Sequence, residues 1–261
     1  MNGQSIGMGI FVACLLHSWL VVSVRLWTHD ELLYTHGVRV KTLRKKLLRS
    51  PKHLFLTALY LPAVVAFAVG WNRLAAAIAL FVLAGLGRQL VRVAWQKSGN
   101  TVDRLGLYVP AAVSLFGWIL VRLLTWHLGP EAAEKLAWSG ACGVLAGIYT
   151  LGGLAKYFEG GGFSWISTRN MSLLVAERSW AENSRVARMR RAAIAIPGFM
   201  FAGAAYGFTV EVLAILFVIP ALRWPIAIAA AGLQVGIILL MGYVELEWIA
   251  LPFALLLLAG G

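Results

Sequence analysis

Charge is what this sequence has least of. Only 13% of its 261 residues are Asp, Glu, Lys or Arg, and just 11 residues are acidic, where a soluble domain carries about 25% charged residues. Cysteine is scarce too. Cys14 and Cys142 both fall inside apolar runs, which leaves no disulfide framework and no cysteine-based metal cluster. No pair of His or Cys at helical spacing lies within an apolar run, so no metal is expected. The signatures of soluble enzymes are missing as well: Gly160, Gly161 and Gly162 lack the lysine and the strand–helix context of a phosphate loop, and His17 has no acid nearby to complete a Ser-His-Asp arrangement. What remains is apolar. Sixty per cent of the residues are hydrophobic and the mean hydropathy is +0.78. A water-soluble globule of this composition would expose an untenable apolar surface. The expected fold class is all-α, a polytopic transmembrane helical bundle of about eight spans. At about 20 residues per span, about 160 residues lie in lipid, and 1–261 reads as one integral membrane domain.

The few charges are strongly one-sided, with a net charge of +12. Their placement argues against nucleic acid as the partner. Arg39, Lys41, Arg44, Lys45, Lys46, Arg49 and Lys52 cluster in 28–53, and Arg169, Arg178, Arg185, Arg188, Arg190 and Arg191 in 158–192. Lys97 and Arg104 occupy the connection at 95–105, whereas the turns near 71–73 and 128–137 carry only Arg73 and Lys135, with Glu131 and Glu134 beside the latter. Basic residues on alternate loops are the pattern of cytoplasmic loops in a multi-pass protein of a cell membrane. Membrane lipids with anionic headgroups, at 28–53 above all, are the expected partners.

The apolar runs place spans at about 6–26, 54–70, 74–94, 106–127, 137–157, 193–221, 225–243 and 246–260. Between the first two, 31–49 carries Leu32, Leu33, Val40, Leu43, Leu47 and Leu48 among basic residues. It reads as an amphipathic helix in the cytoplasmic interface. The long connection 158–192 is expected on the cytoplasmic side, with a short surface helix over 170–180. The run 193–221 is too long for one upright span and too short for two, which predicts a tilted or broken helix. A two-pass hairpin there would suit the charges of Arg223, Glu245 and Glu247 better, but each half would fall short of the roughly 20 residues a helix needs to cross.

Polar residues at depth are the informative ones, because each is costly in lipid unless paired or wet. They are His17 in the first span, Arg88 and Arg92 four apart in the third, Arg122 in the fourth, Lys156 at the end of the fifth, Glu211 in the sixth and Gln234 in the seventh. Each also has a structural reading. His17 and Gln234 suit interhelical hydrogen bonds. The arginines and Lys156 suit snorkelling to headgroups. Glu211 is too short to snorkel far.

The run Tyr149-Thr150-Leu151-Gly152-Gly153-Leu154-Ala155-Lys156-Tyr157 resembles a pattern in the membrane domain of vitamin K-dependent gamma-carboxylases and their bacterial relatives, the HTTM (horizontally transferred transmembrane) proteins. Glu211 to Arg223 is similar to that family's acidic helix with its apolar-Pro ending, and Gly232 to Leu258 to its last helical pair. The likeness covers roughly 138–260. It departs from the family pattern at Gln234, where the family presents a histidine, and at Trp165, which follows Lys156 by nine positions.

The resemblance implies a catalytic role for Lys156, as the base that deprotonates a reduced quinone, with Glu211 as its polar partner. Apolar walls at a helix end disfavour the ammonium form, which suits that role. Tyr149, one face of the helix and seven positions earlier, would bound a ring-shaped substrate, with His17, Gln234, Arg88 and Arg92 as further substrate-binding candidates. A small-residue face of Gly147, Gly152, Gly153 and Ala155 would let a helix or flat ligand approach. A competing arrangement pairs Lys156 with Glu159, one turn on. Two function classes stay open: a quinone- or lipid-linked modifying enzyme with reduced quinone as the cofactor the resemblance implies, and a non-catalytic membrane component that binds a lipid or a partner protein.

Overall fold

The computed structural model describes residues 2–24, 50–96, 110–159, 161–179, 185–196, 198–241 and 246–260, with the side chains of 20–24, 91–96, 174, 177–179 and 241 outside the description. The amphipathic helix expected over 31–49 and most of the connection at 95–105 lie outside it. Among the described residues every regular element is helical. Five helices are long and apolar enough to cross a membrane: Pro51–Val69, Arg73–Leu90, Pro130–Phe158, Phe199–Val218 and Pro220–Leu240. Phe55, Val65, Val82 and Ile228 on these helices leave half or more of their surface uncovered, which suits lipid rather than water as their neighbour.

The chain divides into two compact units, 1–141 with 257–260, and 142–256 with 261. The first holds α1 (Gly3–Val24), α2 (Pro51–Val69), α3 (Arg73–Gln96), α4 (Pro110–Leu124) and the start of α5 (Pro130–Phe158). Pro51 opens α2, where its missing N–H costs nothing. Gly70 closes it in the left-handed region at φ +81°, with Trp71 N–H bonded back to the Ala66 carbonyl at 2.9 Å, a Schellman closure. The tight turn to α3 follows. Four rings form the centre of this unit: Phe11, Phe67, Trp118 and Trp138 are all at most 2% exposed. Phe11 meets Trp138 edge-on at 5.0 Å, and Phe67 meets Trp118 at 5.9 Å, the tilted geometry that ring quadrupoles favour. α4 and α5 touch through backbone, since a β-carbon on Gly140 would lie 2.6 Å from the Gly117 carbonyl oxygen.

The second unit continues α5 into a short 3-10 turn (Gly162–Trp165), α6 (Thr168–Ser179), α7 (Arg185–Ala195), α8 (Phe199–Leu213), 3-10 segments at Ala214–Val218 and Pro220–Leu222, α9 (Arg223–Met241) and α10 (Leu246–Leu258). Met171, Val175, Ala193, Met200 and Ala204 form one buried cluster that ties α6, α7 and α8 together.

Several expected boundaries need correction. The loop expected over 128–137 is mostly helix, because Pro130 is preset for a first helical position and Glu131 lies in the first turn, where the helix dipole favours a carboxylate. The helix of the sixth apolar run begins at Phe199, not at 193: residues 193–195 belong to the basic helix α7, and Gly198, just ahead of Phe199, takes φ +75°. The remaining 20 residues, Phe199–Val218, are span-length on their own. The short helix expected at 170–180 is α6, which buries Met171, Val175 and Ala176 on one face and leaves Leu173 exposed on another. α4 and α10 have only 15 and 13 helical residues.

Candidate functional site

α5 carries one inward stripe: Cys142, Leu145, Tyr149 and Gly153 are buried at spacings of three and four residues, and Lys156 extends it into the last turn. On α8 the matching stripe is Met200, Ala204, Gly207 and Glu211, continued by Ala214 in the 3-10 segment that follows. Gly153 lets the two helices meet. A β-carbon there would lie 3.0 Å from the Glu211 Cβ and 3.1 Å from the Val212 backbone nitrogen. This contact brings the Lys156 amine onto the Glu211 carboxylate, and Nζ donates to both Oε1 and Oε2. The lysine side chain is 33% exposed and the glutamate side chain 12%, so the carboxylate is the enclosed member and the amine the accessible one. Glu211 also stands where α8 tightens, its carbonyl accepting from the Ala214 N–H.

The expected alternative partner, Glu159, is exposed and takes no part in this pair. Of the expected small-residue face, Gly153 alone makes a close approach. Gly147 and Gly152 have open space where a β-carbon would stand, and Ala155 is exposed.

Two helical turns earlier, Gln234 and Tyr149 are brought together. The Gln234 Nε2 donates to the Tyr149 hydroxyl at 3.2 Å. That hydroxyl donates to the Trp248 carbonyl at 3.4 Å, and the Tyr149 and Trp248 rings meet edge-on at 5.2 Å. Both side chains singled out as substrate-binding candidates are thus occupied with each other. The cavity beside Tyr149, walled by Leu145, Phe217 and Pro252 among others, is about 10 Å³, room for no more than one water molecule.

An aromatic group sits at the Lys156 end and was not legible in the sequence. The glycine run ends α5, with Gly161 and Gly162 at φ +85° and +68°. It returns Phe163 onto Tyr157 at 5.2 Å and towards Phe208 at 6.2 Å. Tyr157 follows Lys156, and Phe208 precedes Glu211 by one turn. A second missed residue is Arg190. It is 6% exposed, and its Nε donates to the Leu239 carbonyl at 3.0 Å, so it closes the carboxyl end of α9 rather than facing headgroups.

His17 on α1 and Arg88 on α3 are half-buried members of the first unit, and the Arg92 side chain lies outside the described residues. No cluster of three or more His, Cys, Asp or Glu able to hold a metal occurs among the described residues. No protein-family model, curated protein or solved structure matches the chain. What the site can do chemically rests on its own geometry: an ammonium–carboxylate pair at a helix end, open on the lysine side, with three aromatic rings at hand.

Proposed function

We propose that the chain is a multi-pass protein of about eight spans in a bacterial inner membrane, acting on a lipid-soluble substrate of the quinol or lipid-linked class at the Lys156–Glu211 pair. The observation that carries this reading is the asymmetry of the pair, with an enclosed carboxylate and an accessible amine. In a medium of low dielectric constant the ammonium proton can pass to Glu211, since two neutral groups need less solvation than two charges. The freed amine lone pair then accepts the hydroxyl proton of a substrate that arrives from the exposed side. The likeness of 149–157 to the HTTM and gamma-carboxylase pattern supports the same assignment of Lys156 as base. Tyr157, Phe163 and Phe208 supply ring faces for a planar headgroup.

A second reading, a non-catalytic component that binds a lipid or a partner protein, is favoured by the Tyr149 cavity, which is far too small for a quinone ring. Solvent extraction of the purified full chain separates the two. Under the enzyme reading, quinone is recovered in near one-to-one amount from the wild type, and the yield falls in Lys156→Met and Glu211→Gln. Lys156→Arg keeps the ion pair, but arginine stays protonated, so it retains folding and loses proton exchange. Extracts that contain phospholipid and no quinone support the non-catalytic reading.

A further inference from the structure

A cavity of about 530 Å³ in the first unit opens at the α2–α3 turn, between Arg73 and Arg122. We infer that it is a binding site for the phosphate group of a membrane phospholipid. Its charge is unbalanced. Arg73 is held by Glu134, with Nη1 to Oε1 at 2.9 Å, and by the Phe67 carbonyl, with Nε at 3.4 Å. Arg122 has no hydrogen-bond or ion-pair partner among the described residues. Two guanidiniums against one carboxylate leave a single positive charge, the complement of a phosphate diester.

Trp118 lies one turn before Arg122 on α4 and lines the same cavity. It is 1% exposed and packs its ring against Phe67 and Trp138, so it forms a closed aromatic wall. The forked guanidinium of Arg122 above it, unpaired among the described residues, is matched by an anion with several oxygen acceptors.

The location selects a lipid as the source of that anion. Residues 70–72 join two helices that are each long enough to cross a membrane, which puts the turn at a membrane boundary. Trp71 and Trp126 are 77% and 79% exposed, as tryptophans are where headgroups meet acyl chains. Leu74 and Leu123 in the cavity wall offer apolar surface to the glycerol and the upper acyl chain. The volume falls within the usual range for a small-molecule site and exceeds what a bare phosphate fills.

The full chain in neutral detergent, titrated with phosphatidylglycerol and read by native mass spectrometry, tests the inference. The wild type should hold one lipid tightly, and Arg122→Gln should weaken that binding about tenfold or more through loss of a charge-assisted bond. Because Arg122 has no internal partner, the lipid-free variant should unfold at the wild-type temperature. Arg44→Gln with Lys45→Gln, in the basic segment, should leave the tight lipid in place. Loss of the tight lipid in that double variant, with retention in Arg122→Gln, overturns the assignment. Inorganic phosphate at the same concentration should not displace the lipid; displacement by it would overturn the lipid as the source of the phosphate.

Discussion

Gly153 and Glu211 stand so close that a β-carbon on the glycine would lie 3.0 Å from the Glu211 Cβ. The absence of one side chain therefore sets the distance between α5 and α8, and with it the Lys156–Glu211 pair. Gly153→Ala has to push the helices apart, because one obstacle is the Val212 backbone nitrogen at 3.1 Å, which cannot rotate away. Overpacking of this kind costs about 1–3 kcal/mol. Gly147→Ala and Gly152→Ala meet nothing within 4 Å and should be neutral or slightly stabilising through helix propensity. Unfolding of the three variants in detergent checks this, and equal loss in all three would remove the close contact from the account.

Tyr149→Phe tests whether the Tyr149–Gln234 pair is structural. The change keeps the ring against Trp248 and removes the acceptor of the Gln234 amide. Interhelical hydrogen bonds in membranes average about 0.6 kcal/mol and reach about 1.7, so a loss in that range is expected in unfolding experiments. Gln234→Leu on the Tyr149→Phe background should cost little more. If instead stability is unchanged and ligand retention falls, the pair serves binding.

The boundaries that hydropathy placed well are those where polarity and backbone geometry change together. The interruption at Trp71-Asn72-Arg73 coincides with the left-handed closure at Gly70, and the observed helices end and begin within a few residues of the expected ones. Hydropathy failed where they diverge. Ala193, Ile194 and Ala195 are apolar yet belong to the amphipathic helix α7, with Ala193 in the α6–α7–α8 cluster. The charged residues Glu131, Glu134 and Lys135 suggested a loop, although Pro130 starts a helix there. In the site, Lys156 was visible as a misplaced cation because its sequence neighbours are apolar. Its partner Glu211 came only through the family resemblance, since local spacing offers Glu159 and the folded chain supplies Glu211 from 55 residues away. The same rule of polar residues at depth also singled out His17 and Arg88, which belong to the other unit. Depth selects candidates and topology assembles them.

Arg190 and Arg188 look alike in the sequence and should behave differently. Arg190 is buried on the carboxyl end of α9, while Arg188 is exposed. Arg190→Ala leaves a helix-end carbonyl without its charged donor and should cost about 1–3 kcal/mol. Arg188→Ala should stay within about 0.5 kcal/mol. Thermal unfolding of the two single variants distinguishes them, and equal effects would return Arg190 to the headgroup-facing set.

Orientation follows from the distribution of basic residues and can be read by labelling. Single cysteines at Lys45, Gln96 and Ser184 should resist impermeant reagents added outside intact cells, whereas one at Asn72 should react. Cys14 and Cys142 are both buried, so background labelling should be low. Ready labelling at Ser184 in sealed cells would invert the topology and place the Lys156 end of α5 on the outer side.

The Lys156–Glu211 pair yields the most discriminating prediction. Removing one partner strands a charge that has left water, which costs about 3–5 kcal/mol for a fully buried pair. With the lysine side chain one-third exposed, a smaller loss of about 1–3 kcal/mol is expected for Glu211→Gln or Lys156→Met. The double variant Lys156→Met with Glu211→Gln carries no stranded charge, so it should be more stable than the sum of the single changes allows. Folding and function then part company. If the pair only holds α5 to α8, the double variant should keep whatever ligand the wild type retains. If the accessible amine exchanges protons with a substrate, the double variant should fold well and lose that exchange, and Lys156→Arg should fail to restore it. Full function in the arginine variant would mean that the site needs only a positive charge, and Lys156 would no longer qualify as a base.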